Sequence, residues 1–340
     1  MRFIGITLLS LLLISGCSNN QKKVEQKAKE TKTLQTTSKT APVYLLRYKF
    51  KKGDKYKYRI TTITETNETL KTDTTISSKM NQTIQYTINL NVKDVSKDSI
   101  ALIGVYISKI YTKANVNGQE IVYDSKYIYS SRERLKFLEY ESIKKTPFTI
   151  QLNPIGKIIG ANDIDKIFKN VLEIQHAPDT LSSKTKKNMK DALVNGSIIP
   201  LIQQLFKILS EKPVGIDSSW QFSYPSNFAS FQIQNTATYR LKDLAKTDTS
   251  NIAKVNAELS ITWTGENTVK DKGVTYTFSE PNIAGSGVFF FDQLHGVLLK
   301  SDASTNVSMS MMMEALDSAQ KMQKSSRTTI TTTTNKIELL

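Results

Sequence analysis

The chain has 340 residues, 46 basic and 31 acidic side chains giving a formal charge of +15, one cysteine and two histidines. A single cysteine excludes a disulfide framework, a thiol nucleophile backed by a second cysteine and a cysteine-ligated metal centre, so stability must come from burial, and a body of ~300 residues can bury roughly three quarters of its unfolded surface. After the opening stretch no run reaches the ~20 apolar residues that a helix needs to cross a bilayer, which excludes helical membrane spans in the body.

In chain order, Arg2 and the apolar stretch Phe3 to Ile14 have the charge and length of a secretory signal. Ile14, Ser15, Gly16 and Cys17 resemble the lipobox of bacterial lipoproteins. The resemblance implies cleavage before Cys17, a diacylglyceryl thioether on its sulfur and a further acyl chain on its new amino group. Two or three chains, at about 0.8 kcal/mol per buried methylene, make a lasting anchor. Residues 1–16 are therefore read as signal peptide and 17–43 as lipidated cysteine and flexible tether, because Ser18 to Val43 has no aromatic residue and scatters Lys among Glu. Ser18 after the cysteine leans, on the same resemblance, towards the outer membrane and a periplasm-facing body.

From residue 44 the pattern is alternation. Leu46, Tyr48 and Phe50 fall at period two, Lys51-Lys52-Gly53-Asp54 intervenes, and Tyr56, Tyr58 and Ile60 resume, which predicts a hairpin. Thr-rich strands are predicted over 61–70 and 81–92, followed by 100–110, 148–152 and 157–159, so 44–161 reads as a first β lobe. Over 162–212 the period becomes helical. Ile164, Ile167, Phe168, Val171 and Leu172 form one stripe behind a cap at Asn162, and Ile198, Leu201, Ile202, Leu205, Phe206 and Leu209 form another that Lys212-Pro213 stops. Residues 213–340 read as a second β lobe. Four short echoes link the lobes in order: 53–58 with 215–222, Val92-Lys93-Asp94-Val95 with Leu241-Lys242-Asp243-Leu244, 99–101 with 251–253, and 153–158 with 292–297. The expected fold class is α+β, predominantly antiparallel β, with two related curved-sheet lobes and a helical segment between them.

The opening 48–59, the 212–220 entry with Trp220 and the 285–296 run with two glycines, a Phe-Asp pair and Gly296 resemble an uncharacterised Bacteroidota-type family of two-lobed β lipoproteins. In outline the chain is also similar to lipid-binding half-barrels of the bacterial envelope. The first resemblance implies location and fold, and no activity.

No motif for catalysis stands out. His176 precedes Ala177-Pro178 at a helix end, and His295 sits in a turn opened by Asp292 and closed by Gly296, so turn chemistry accounts for both. No metal-ligand spacing and no paired carboxylates surround them; a non-enzymatic protein without cofactor or metal is expected. The body carries about +10 of the charge, dispersed over alternating strands. That suits attraction to anionic lipid or polysaccharide, or simple solvation, better than nucleic acid. The candidate ligand side chains are Phe289 and Phe291 on a strand apolar on both faces, Met309 and Met311 on the next, and Leu205 and Phe206 on the second helix. Two functions stay open: a membrane-anchored, non-catalytic binding module for an apolar or amphiphilic envelope ligand, and a structural or assembly lipoprotein acting through an envelope protein.

Overall fold

The computed structural model describes residues 42–178, 180–228, 231–316 and 320–340. The expected signal peptide, the lipobox-like 14–17 with Cys17 and all but the end of the expected tether lie outside the described residues. The first half contains β1 (Val43–Tyr44), β2 (Lys55–Lys71), β3 (Thr75–Val95), β4 (Ala101–Val116), β5 (Gln119–Asp124), helices α1 (Ser131–Lys136) and α2 (Leu138–Ile143), β6 (Phe148–Leu152) and β7 (Ile158–Asn162). Then come α3 (Asp165–Ile174), α4 (Ser183–Leu193), a π-helical turn (Val194–Ile198) and α5 (Ile199–Gln203). The second half contains β8 (Val214–Gly215), β9 (Ser219–Phe228), β10 (Phe231–Lys246), β11 (Asn251–Thr264), β12 (Thr268–Asp271), β13 (Val274–Phe278), β14 (Asn282–Asp292), β15 (Val297–Leu316) and β16 (Met322–Leu339).

Strands take 58% of the described residues and helices 15%. A 14-stranded antiparallel sheet runs β7-β6-β4-β3-β2-β16-β15-β14-β11-β10-β9, with β5 paired to β4, β13 to β15 and β12 to β13 off this path. Its two halves are not separate lobes: β2 and β16 pair from Tyr58↔Leu339 to Lys71↔Ser326, which welds them into one surface.

The halves nonetheless repeat. Each is a meander, β2-β3-β4-β6-β7 and β9-β10-β11-β14-β15. A β-bulge falls between Val92 and Asp94 in the first and between Leu241 and Asp243 in the second, where the sequence repeats Lys-Asp. A second bulge precedes the closing turn of each, at Gln151/Leu152 and at Phe290/Phe291. The entries match too: Val92 exchanges backbone bonds with Gly53 and Asp54 as Leu241 does with Asp217 and Ser218. Bulges bend a strand and increase its twist, so matched bulges give both meanders the same curl.

Three sequence expectations change. Residues 45–50 form no hairpin with β2. β1 pairs instead with β8, and the extended segment beyond it passes between the two closing turns, with Tyr48 N–H donating to Pro154 O (2.9 Å) and Lys49 N–H to Gly296 O (3.2 Å). Asn162 ends β7 and does not cap a helix; α3 begins behind Ile164 without a side-chain cap, while Asp163 at φ 62° accepts a hydrogen bond from the Thr149 hydroxyl. The second helix stops at Gln203, well before Lys212-Pro213. The Gln203 amide donates to Gly156 O and Phe206 O, both at 2.7 Å, and its Oε1 accepts from Ile158 N–H. These bonds hold residues 204–210 to the β6–β7 turn in non-helical form, and all seven are buried.

The main core gathers Ile60, Ile88 and Leu90 from one meander, Leu241, Val255, Phe289 and Phe291 from the other, Ile167 and Ile202 from the helices, and Leu46 and Tyr48 from the threading segment. Gly156 (φ +90°) and Gly296 (φ +68°) make that threading possible: a Cβ at Gly156 would lie 2.3 Å from Lys207 O and 2.6 Å from the Tyr48 ring, and one at Gly296 would lie 2.4 Å from Lys49 N. Gly156→Ala and Gly296→Ala are each expected to destabilise the fold by more than about 2 kcal/mol in urea unfolding. Gly273→Ala, at φ +81° with nothing within 4 Å, costs only about 1 kcal/mol on the same account.

Candidate ligand site on the concave face

The inward positions form rows across the strands. One row, Leu241–Val255–Phe289–Ser301–Ile337–Ile60, belongs to the main core, and Ser301 is its single polar member. The next row is Tyr239–Ala257–Gly287–Ala303–Asn335–Thr62, and the one after it Ala237–Leu259–Gly285–Thr305–Thr333–Thr64. Directly opposed Cβ atoms in an antiparallel pair ordinarily lie ≈ 4.5–5.5 Å apart. A Cβ built on Gly287 would lie only 2.8 Å from Ala303 Cβ, so the strands converge on this face and the sheet curls about it.

Beyond those rows a second apolar cluster forms from Phe231, Ile233, Leu259, Ile283 and Val307, with Ile261, Trp263, Phe278 and Met309 packed against it. Small and hydroxylated residues thus separate two apolar zones. Part of the polar belt is satisfied internally: Thr66 and Thr331 hydroxyls lie 3.1 Å apart, and the Asn335 amide donates to Thr62 Oγ1 (3.1 Å) and Gln204 Oε1 (2.8 Å). The rest is not. Tyr239 Oη, Tyr224 Oη, Asn235 Oδ1 and Thr305 Oγ1 are buried and find no hydrogen-bond partner among the described residues. An unmet buried polar atom costs about 1–3 kcal/mol, and four of them share this face.

Lys207 completes the set. Its amide donates to Tyr48 Oη at 2.8 Å, and its side chain enters a recess lined by Tyr239, Ala257, Gly287, Phe289 and Ser301. The residue is 8% exposed, and burial alone draws its ammonium down from 10.5 to about 8, with no carboxylate near enough to raise it. Burial likewise raises the hydroxyls of Tyr48, Tyr58 and Tyr239, so these rings stay neutral. The recess has a volume of about 10 Å³, close to the smallest space that accepts one water-sized atom.

The sequence-predicted ligand residues divide. Leu205, Phe206, Phe289 and Phe291 all lie in the main core at 2% exposure or less, and Phe289 also lines the recess beside Lys207. Met309 packs on the second cluster, and half-buried Met311 sits opposite Phe278 and Arg327 in register. Lys207 was hidden because it falls in the apolar run 205–209, which reads as one helical stripe with the lysine on its wet side. His295 and Asp292 make a turn. Asp292 accepts from His295 Nδ1 at 2.7 Å and from the N–H groups of Leu294 and His295, and although burial raises its pKa these bonds hold it low. Among the described residues no cluster of three or more His, Cys, Asp or Glu is placed to hold a metal, and no helix is long and apolar enough to cross a membrane.

The model of a family of unknown function, DUF6263, matches residues 98–297, a stretch that holds Lys207, Tyr239 and both closing turns. No curated protein matches the chain. Among solved structures, one of lipovitellin, described for its lipid–protein interactions, is similar at 11% identity and a TM-score of 0.41 over 86% of this chain. This chain spans 25% of that protein's length. OccK7 (OpdD) of Pseudomonas aeruginosa is similar at 6% identity and a TM-score of 0.20, covering 84% of this chain and 99% of that one. An outer-membrane channel of Pseudomonas putida F1 is similar at 8% and 0.17, with 86% and 97% covered. None of these likenesses reaches the level of a shared fold.

The buried ammonium makes a pH prediction. Because its folded value lies below the unfolded one, the unfolded chain binds the extra proton between about pH 8 and 10.5, and stability rises with pH across that window. Lys207→Met should be more stable than the parent at pH 7, by up to about 3 kcal/mol, and the difference should shrink by pH 10 in thermal unfolding.

Proposed function

Since the chain belongs to DUF6263, a family of unknown function that supplies no activity to carry over, we propose that it is a non-catalytic binding module for an amphiphilic molecule, anchored to the cell envelope through lipid on Cys17. The observation that carries this reading is the juxtaposition on one concave face of an apolar cluster and buried polar atoms without partners. An amphiphile satisfies both: its chain lies against Met309 and the second cluster, and its polar end reaches the belt. The anchor rests on the lipobox-like 14–17 and the outer-membrane, periplasm-facing position on Ser18.

A second reading, an assembly lipoprotein acting through an envelope protein, has its own support in Met312, Leu316, Met322 and Ile330, which are 44–54% exposed along β15 and β16. Crosslinking in the envelope distinguishes the two, because a protein partner would be captured through these residues.

Binding of the neutral fluorescent amphiphile N-phenyl-1-naphthylamine tests the first reading. Saturable enhancement is expected, with Met309→Lys weakening it by about fivefold or more and Met309→Leu leaving it near the parent; no saturable binding would reject the reading. For the anchor, labelled palmitate should enter the parent and not Cys17→Ser, and the variant should leave the membrane pellet.

A further inference from the structure

We propose that the recess at Lys207 is an anion site, and that the amphiphile this protein holds is acidic, presenting one carboxylate oxygen to the Lys207 amine and the Tyr239 hydroxyl. This rests on the binding-module reading above and names the class of its ligand.

The argument begins with what surrounds the amine. Lys207 Nζ has no hydrogen-bond or ion-pair partner among the described residues, and Tyr239 Oη has none either. Both side chains are more than nine-tenths buried and both line the same recess. A lysine ordinarily avoids such a position unless a counter-charge joins it. The neighbouring elements supply none: β14 and β15 present Gly287, Val288, Phe289, Ser301 and Ala303, β2 and β10 present Tyr58 and Tyr239, and the threading segment presents Tyr48. The recess therefore holds a lysine and two hydroxyls, those of Tyr239 and Ser301, and no carboxylate, so the charge that would balance the ammonium has to come from outside.

Size narrows the class. A recess of about 10 Å³ has room for about one oxygen-sized atom, so it takes a terminal oxygen of an acidic group while the rest of that group stays outside. Direction narrows it again. From Ala303, which lines the recess, β15 leads four residues on to Val307 in the second apolar cluster, about 13 Å along the strand. A carboxylate at one end and an apolar zone at that separation are the two ends of a fatty acid. A small carboxylate solute shares the first half of this chemistry and lacks the second.

The test compares dodecanoate, dodecanol and acetate, each by calorimetric titration at pH 7 into the purified Cys17→Ser protein, parent and Lys207→Met. Dodecanoate should bind at least tenfold more tightly than dodecanol, and Lys207→Met should remove that preference while dodecanol binding persists. In the parent the preference should fade as pH rises from 7 to 9, because the amine loses its charge there while the carboxylate keeps its own. That arm stands even if the variant fails to fold. Equal binding of acid and alcohol, unmoved by pH or by Lys207→Met, overturns the anion site and leaves the binding module intact. Failure of both to bind overturns the module itself. Acetate competing with dodecanoate at similar affinity assigns the site to a small solute and overturns the acidic amphiphile.

Discussion

Tyr48 is the point on which the arrangement turns. Its N–H donates to Pro154 in the closing turn of the first meander, its hydroxyl accepts from the amide of Lys207, and its ring packs edge-on to Phe206 and Phe291 at 5.6 and 5.1 Å. One residue thus touches both meanders and the segment that leaves the helices. The adjacent Lys49 N–H to Gly296 bond repeats the contact on the other side. These contacts explain why the two turn positions are glycines with no room for a Cβ, and why residues 204–210 cannot continue as helix. The placement of the Lys207 amine is a consequence of this clamp.

Within that frame the concave face is organised by side-chain size. Ala257, Gly287, Ala303 and Ala237 let the strands converge, and threonines and asparagine line the remainder at low volume. A purely structural core of the same curvature would fill with larger aliphatic residues, as the adjoining rows do with Val255 and Ile283. Unmet hydroxyls and an unpaired ammonium oppose stability in the free protein. Their presence beside paired groups such as the Asn335 amide with Thr62 and Gln204 is what supports the proposed binding role.

Much of the fold was legible in the residues. The period-two alternation of Thr61 to Leu70 and Asn81 to Val92 marked long strands, and the twice-used Lys-Asp after an aliphatic residue marked matched positions that prove to be β-bulges. The closure of the sheet was not legible. β2 and β16 are joined by pairs such as Thr64 with Thr333, and nothing local in either strand specifies a partner so distant. The alternation of Leu46, Tyr48 and Phe50 predicts a hairpin strand, yet alternation shows only that one side is buried and not what pairs the backbone. Lys207 was missed for a related reason. When residues 204–210 are all buried, periodicity carries no information about helix or extended chain, and a lysine in such a run reads as solvent-facing by default.

The central claim is that the concave face between the two apolar zones is occupied by an acidic amphiphile. Native mass spectrometry of the Cys17→Ser protein isolated from its own envelope tests this most directly, because no covalent lipid then obscures the mass. The account predicts a mass excess released on activation and recovered as a long-chain acid, at close to one molecule per chain. Bare protein throughout, from an envelope whose free fatty acids are shown to be present, would contradict it.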